Sequence, residues 1–265
     1  EQLKIAIEQD IKKGLKPCAV IATIGTTNTT AMDPISDILS LTQKHNMWLH
    51  VDAAMAGTAM ILPECRWMWD GIEGADSIII NPHKWLGVVF DCSLYYIRNR
   101  EHLVRVMSTN PSYLQTSKDN EVKNYRDWGI PLGRRFRALK LWCLIKEQGV
   151  SGLQERIRKD IKNAKWLKDQ IENEPQWEIL APVTLQTICV RHTPSGLKND
   201  LLEKHTLQWV TDINNGGAAY LTPGQLNGKW MVRISIGAEA TTLKHVKALW
   251  ITMKSAVNKE SQRNR

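Results

Sequence analysis

The sequence predicts an α/β protein with a mostly parallel sheet, followed by a smaller α+β domain at the carboxyl end. Three observations carry this prediction. A chain of 265 residues with 43% hydrophobic content is long enough to bury a substantial core. Its first part repeats a pattern of helix followed by short apolar run, each run closed by Thr, Asp or Asn-Pro. Its last part mixes strand-like and helical segments in an order typical of α+β domains.

The elements follow from the pattern in turn. Residues 3–14 read as an amphipathic helix, and Ala19-Val20-Ile21-Ala22-Thr23 as a buried strand stopped by Gly25-Thr26-Thr27. A helix over 35–45 leads to a strand over 47–51 and Asp52, and a strand over 77–80 leads to Asn81-Pro82-His83-Lys84. Helices between parallel strands predict a sheet covered on both faces, with ligands bound beyond the strands' carboxyl ends. Thr23, Asp52 and Lys84 all lie at such ends. Residues 110–127 are polar and without period, long for a connection inside a compact domain, which predicts a functional lid. Helix resumes over 135–146, and a further long helix starts near 155. Strands over 177–180 and 187–191, a helix over 201–213, a strand over 231–236 and a helix over 242–257 complete the chain. The polar tail 258–265 is expected to fray. The division falls near residue 150, giving domains 1–150 and 151–265. Glu1 already lies in a helix with no capped start and no initiator Met, so a truncated chain is expected.

Composition narrows the function classes. The formal charge of +8 is spread along the chain among acidic residues, which describes a solvated basic surface. With no RNP-type aromatic motif, zinc-finger spacing or Gly-Lys-Ser/Thr loop, a nucleic-acid partner is not expected. Five widely spaced cysteines, mostly in apolar runs such as Leu141-Trp142-Cys143-Leu144, read as reduced core residues of a cytoplasmic protein. Neither Cys-x-x-Cys nor His-Glu-x-x-His occurs, so no metal is expected. The absence of a signal peptide or eighteen-residue apolar span gives no membrane partner.

An Asp ending one strand and a Lys ending the next fit a pyridoxal 5'-phosphate (PLP) site. The Lys forms an aldimine, and the Asp keeps the pyridine nitrogen protonated, making the ring an electron sink. Either residue alone reads equally as a surface amine or an ordinary strand-end carboxylate; the surrounding sequence decides.

His50-Val51-Asp52-Ala53-Ala54 followed by Asn81-Pro82-His83-Lys84-Trp85 resembles the signature of group II PLP-dependent decarboxylases, the aromatic L-amino-acid decarboxylase family. The resemblance covers nearly the whole chain. It includes Ala22-Thr23-Ile24-Gly25-Thr26-Thr27, Pro63-Glu64-Cys65-Arg66, Phe90-Asp91-Cys92-Ser93, Asn110-Pro111-Ser112-Tyr113-Leu114 and Ile130-Pro131-Leu132-Gly133-Arg134-Arg135-Phe136-Arg137. It implies a fold-type-I, transferase-like architecture: the carboxy-terminal part of a PLP-binding large domain, then a small domain. The implied reaction turns an aromatic L-amino acid into the arylalkylamine and carbon dioxide, with PLP as cofactor, in a homodimer when the chain is full length.

Residue by residue, the resemblance implies that Lys84 carries the cofactor and Asp52 pairs with its pyridine nitrogen. Ala54 lies against one ring face, Asn81 and His83 reach the phosphate from a turn stiffened by Pro82, and Thr23 sits near cofactor or substrate. The other reading of Asn81 and His83 is an Asx-turn and a partly exposed His. Tyr113 lies on the lid, which in this family commonly closes over the neighbouring subunit's site and protonates the carbanion left by carbon dioxide. Phe there is associated with aldehyde formation. Gly133 leaves room for a large substrate ring where relatives acting on histidine, and some acting on tyrosine, tend to carry Ser, although a turn could also require it. Phe90 is the second substrate-side candidate.

Two departures bear on this. Met55 stands where many members have an aromatic residue, and the half expected to supply the ring-stacking His is missing, so the fragment alone is expected to be inactive. His50 is expected to face away from Asp52 and thus offers no replacement. The remaining rivals are decarboxylation of histidine, glutamate or a sulfinic acid, and a non-catalytic protein derived from the fold. Trp67, Trp69, Trp142 and Trp250 read as core or interface, and Arg134, Arg135 and Arg137 as a solvated or ion-paired run. Arg233 could fork onto a carboxylate or form a structural salt bridge.

Overall fold

A computed structural model describes residues 1–109, 111–119, 121–197 and 199–263. Helix α1 (Gln2–Lys12) precedes strand β1 (Ala19–Thr23), helix α2 (Ile35–Lys44), strand β2 (Trp48–Asp52) and strand β3 (Ser77–Ile80). These three strands lie parallel in the order β1-β2-β3, with Thr23 opposite Asp52 and Asp52 opposite Ile79. Strand β4 (Leu94–Ile97) joins β3 antiparallel at the edge, and helix α3 (Arg100–Met107) follows. Neither β4 nor α3 was expected: Leu94-Tyr95-Tyr96-Ile97 does not alternate in polarity, and an edge strand needs only one buried neighbour.

Alternation along β2 buries Leu49 and Val51. They pack with Ala22, Ala53 and with Ile35 and Ile38 of α2, beneath three 3-10 turns between residues 56 and 74. The opposite face is not covered as expected: Ile21 in mid-strand is exposed, as is Tyr95 of β4.

Helix α4 (Ala138–Glu172) joins the two helices expected on either side of residue 150. Its non-helical point is Gly149, at φ 66° and ψ 173°, a conformation that costs glycine least. Beyond that break, Leu153 and Ile157 face inward, and Ala164, Leu167 and Ile171 enter a second core.

That second core belongs to an antiparallel sheet of order β5-β6-β8-β7. Its strands are β5 (Trp177–Ile179), β6 (Thr187–His192), β7 (Thr222–Leu226) and β8 (Lys229–Ser235), accompanied by helices α5 (Asn199–Asn215) and α6 (Leu243–Arg263). Every residue of β6 is buried. Trp209 and Trp250 meet Trp177 edge-on at 5.7 and 5.2 Å. Strand β7 was not expected, because Thr222-Pro223-Gly224-Gln225-Leu226 carries two strand breakers; it is tolerated at the sheet edge. The hairpin to β8 turns on Asn227 and Gly228, both at positive φ (51° and 77°). Helix α6 continues to Arg263 where fraying from 258 was expected; residues 264 and 265 lie outside the described residues. Among the described residues, no helix is long and apolar enough to cross a membrane.

The cysteines divide: Cys65, Cys92 and Cys189 are buried, but Cys18 and Cys143 are exposed, the latter because its apolar run lies on a solvent-facing stretch of α4. Trp69 and Trp250 are core, whereas Trp67 and Trp142 are exposed.

Candidate active site

Parallel strands end together, and the loops after them enclose a cavity of about 380 Å³. Thr23 from β1, Asp52 from β2, Ala54 just beyond it and Lys84 after β3 all line it. Asp33 fixes Thr23 by accepting its N–H at 2.7 Å and donating its own N–H to the Thr23 carbonyl at 2.9 Å. Asp52 Oδ1 accepts the Ala54 N–H at 3.0 Å, which orients the carboxylate at the strand end. Between β1 and the next turn, Gly25 has φ 83°, and a Cβ there would sit 2.4 Å from Ala56 Cβ, so only glycine fits.

The Lys84 turn is closed by its own backbone. The Lys84 N–H donates to the Asn81 carbonyl at 2.9 Å, and the Val88 N–H to the Pro82 carbonyl at 3.0 Å. The Asn81 N–H in turn reaches the Ala54 carbonyl at 2.9 Å, tying the Lys84 turn to the Asp52 strand end. A carboxylate, a primary amine and a wall no bulkier than a methyl group thus share one cavity. This donor set fits PLP: an anion for a protonated pyridine nitrogen, an amine for the aldehyde, and space for a flat ring over Ala54.

The other candidate residues lie off this wall. Asn81 Oδ1 is buried without a hydrogen-bond partner among the described residues. His83 Nδ1 lies 2.7 Å from the Cys92 carbonyl oxygen, and its ring meets the exposed Phe90 edge-on at 4.9 Å. Tyr113, in a 3-10 turn, is 79% exposed. Asn110 and Asn120 of the expected lid lie outside the described residues. The far end of that segment, the turn Tyr125–Trp128, packs beside α3, where the Ser108 hydroxyl donates to Asp127 Oδ1 at 3.0 Å. Gly133 is exposed, has no positive φ, and a Cβ there would meet nothing within 4 Å; the turn does not require glycine. In the neighbouring basic run, Arg137 pairs with Asp91 at 3.0 Å.

His50 corrects the expectation set for it. Two residues apart on one strand, His50 and Asp52 share a face, and the Asp52 charge acts on the imidazole. Burial nevertheless dominates and lowers the His50 pKa, with Ser77 Oγ 2.8 Å from Nδ1.

The far wall of the cavity comes from the second sheet, and composition alone gave little sign of it. Gln186 precedes β6, while Arg233, Ser235, Gly237 and Ala238 lie on or just past β8. A structural salt bridge is one expectation for Arg233, but among the described residues it has no ion-pair partner. Its Nη2 lies 3.9 Å from Met55 Sδ, and burial lowers its pKa. Gln186 Nε2 donates to the same sulfur at 3.3 Å. The usable signal was again a strand end, Ile234-Ser235-Ile236-Gly237.

Comparison with known proteins agrees with this geometry. A family model described as the pyridoxal-dependent decarboxylase conserved domain matches residues 1–193. A tryptophan decarboxylase of Camptotheca acuminata is 39% identical over 262 residues, covering 97% of this chain and 52% of the relative. Tyrosine decarboxylase 2 of Narcissus pseudonarcissus is 39% identical over 252 residues, covering 94% and 50% respectively. The structure of Oryza sativa TDC with PLP and tryptamine superposes with a TM-score of 0.93 at 33% identity, covering 97% of this chain and 54% of that one. The chain therefore spans about half the length of the curated relatives it matches.

Proposed function

Because this chain belongs to the pyridoxal-dependent decarboxylase family and has its fold-type-I architecture, we propose that it forms the Lys84-bearing part of a PLP-dependent aromatic L-amino-acid decarboxylase. The observation that carries the reading is the convergence of Asp52 and Lys84 on one cavity beside Ala54. PLP, when bound, supplies an electrophilic aldehyde and a ring that accepts the electron pair left as carbon dioxide departs.

The chain's own residues account for the rest. Lys84 Nζ offers the amine that holds the cofactor until a substrate amine replaces it. Asp52 keeps a proton on the pyridine nitrogen, and the small Ala54 side chain lies against one ring face. Thr23 borders the same space, and Arg233, a cation without an ion-pair partner among the described residues, orients a substrate carboxylate. Asn81, with its unpartnered Oδ1, and His83 lie on the turn leading to Lys84 and are the phosphate-side candidates.

Tyr113 serves as the proton donor to the α carbon. Its exposure here is consistent with action on the neighbouring subunit's cavity in a homodimer, with residues 110–127 as lid. Gly133 and Phe90 belong to the substrate side of the same closed state. The break at Gly149 supports a division of the chain near residue 150. Five free cysteines agree with a cytoplasmic location.

The test is a substrate panel. The complete enzyme, supplied with PLP, is given L-tryptophan, L-tyrosine, L-phenylalanine, L-histidine, L-glutamate and cysteine sulfinate, and amines are measured by chromatography. The proposal expects tryptamine, tyramine or phenethylamine as the fastest product. Preference for histidine, glutamate or the sulfinate, or no amine at all, overturns it.

A further inference from the structure

Directly after Lys84, the indole of Trp85 is 3% exposed and lines the cavity beside the lysine. Its Nε1–H donates to Asp160 Oδ2 at 3.0 Å, from a carboxylate only 1% exposed on α4. Gly237, just past β8, comes close to the same pyrrole edge of the indole: a Cβ there would lie 3.0 Å from Trp85 Cδ1. Trp85 is thus tethered by α4 at the edge that the loop of the far cavity wall approaches.

The same helix holds the segment that follows. Arg156, one turn before Asp160, donates to the Leu86 carbonyl. Lys140 Nζ donates to the Val89 and Asp91 carbonyls at 2.8 and 2.7 Å. No comparable side-chain tether from α4 holds Lys84 itself among the described residues. Its aim depends on the turn it occupies, and the first fixed point beyond it is the Trp85 indole.

We propose that Asp160 is a positioning residue, which acts through Trp85 to hold Lys84 at the angle needed to capture the cofactor aldehyde. This rests on the PLP reading above. With the indole released from Asp160 the Trp85 side chain no longer anchors its own backbone, and the turn that carries the neighbouring lysine loses its fixed point. What Asp160 presents to the indole is an acceptor oxygen. Burial raises its pKa even though the Trp85 bond and the charges of Lys159 and Arg156 act in the other direction. An asparagine, with a carbonyl oxygen in the same place, should therefore substitute.

The experiment titrates PLP into the apo form of the complete enzyme, following the visible absorbance of bound cofactor, and records melting temperature separately. Four variants are compared with the parent: Asp160→Leu, Asp160→Asn, Trp85→Phe, and Asp160→Leu with Trp85→Phe. Loss of a buried hydrogen bond corresponds to about a tenfold change in an equilibrium constant. Asp160→Leu and Trp85→Phe should each weaken PLP binding by about tenfold, the double variant should be no weaker than either, and Asp160→Asn should stay within about twofold of the parent.

Multiplying losses in the double variant, equal damage from Asn and Leu, or a lowered melting temperature with PLP affinity unchanged would each overturn the proposal. Should Asp160→Leu not fold, Trp85→Phe and Asp160→Asn decide between the same outcomes. If the parent itself takes up no PLP, the decarboxylase reading fails. If the parent binds PLP and the variants match it, only the role of Asp160 fails.

Discussion

Acidification should loosen the antiparallel sheet before it reaches most carboxylates, because two imidazoles are buried together there. His192, 6% exposed on β6, and His205, 3% exposed on α5, face each other with Nδ1 and Nε2 2.8 Å apart. Burial lowers both pKa values to about 4, helped at His192 by His205 and at His205 by the Arg191 charge. A base whose pKa is lower folded than unfolded binds fewer protons when folded, so stability falls as pH drops. The window runs from the unfolded histidine value of about 6.5 down to about 4. At about pH 5.5 an unfolded imidazole is roughly ten-elevenths protonated while the buried one is nearly neutral. That difference is worth about 1.4 kcal/mol per imidazole relative to about pH 8.

Replacing His192 with Asn should remove roughly one such share of the pH dependence, whatever it does to stability at about pH 8. The assay is urea unfolding of the complete enzyme at the two pH values, with the sheet followed through hydrogen exchange of its β6 and α5 peptides. An identical loss of stability on acidification in parent and His192→Asn would refute the reasoning.

Other consequences concern the cavity and its surroundings. Tyr113→Phe in the complete enzyme should lower amine formation and raise aldehyde, ammonia and peroxide, since general acid catalysis typically supplies on the order of a hundred- to ten-thousand-fold. A coupled peroxide assay beside amine chromatography checks this, and parent-level amine without aldehyde would contradict it. Gly25→Ala places a methyl group 2.4 Å from Ala56 Cβ at a positive φ. It should cost about 1–3 kcal/mol by denaturant titration and weaken PLP binding, because Thr23 lies two residues away. The 265-residue chain alone should produce no amine, because the exposed Ile21 leaves uncovered a face of the sheet that carries Asp52. Amine from the purified chain, with no longer form present, would count against that view.

The parallel strands were legible because they are short apolar runs between amphipathic helices, and their ends located Thr23, Asp52 and Lys84 without any tertiary information. Trp85 was visible as part of a motif, but its partner was not: Asp160 lies 75 residues away in the chain and looks like any acidic residue on a charged helix. Gln186 and Arg233 reach the cavity only through the packing of one sheet against another, which local periodicity does not encode. Strand β7 was hidden by Pro223 and Gly224, residues that an edge position tolerates and a central strand would not. His50 lies on the same face as Asp52, as the two-residue repeat of a strand requires. The imidazole pair was silent for the same reason as Asp160, since His192 and His205 come from different elements.

The most direct test of the central claim is to trap the cofactor where it is held. The complete enzyme is loaded with PLP, reduced with borohydride, digested and mapped by mass spectrometry. The account predicts the pyridoxyl group on the peptide containing Lys84, and its loss together with the visible band in Lys84→Ala. A reduced linkage on a different lysine, or one that persists in Lys84→Ala, would contradict it.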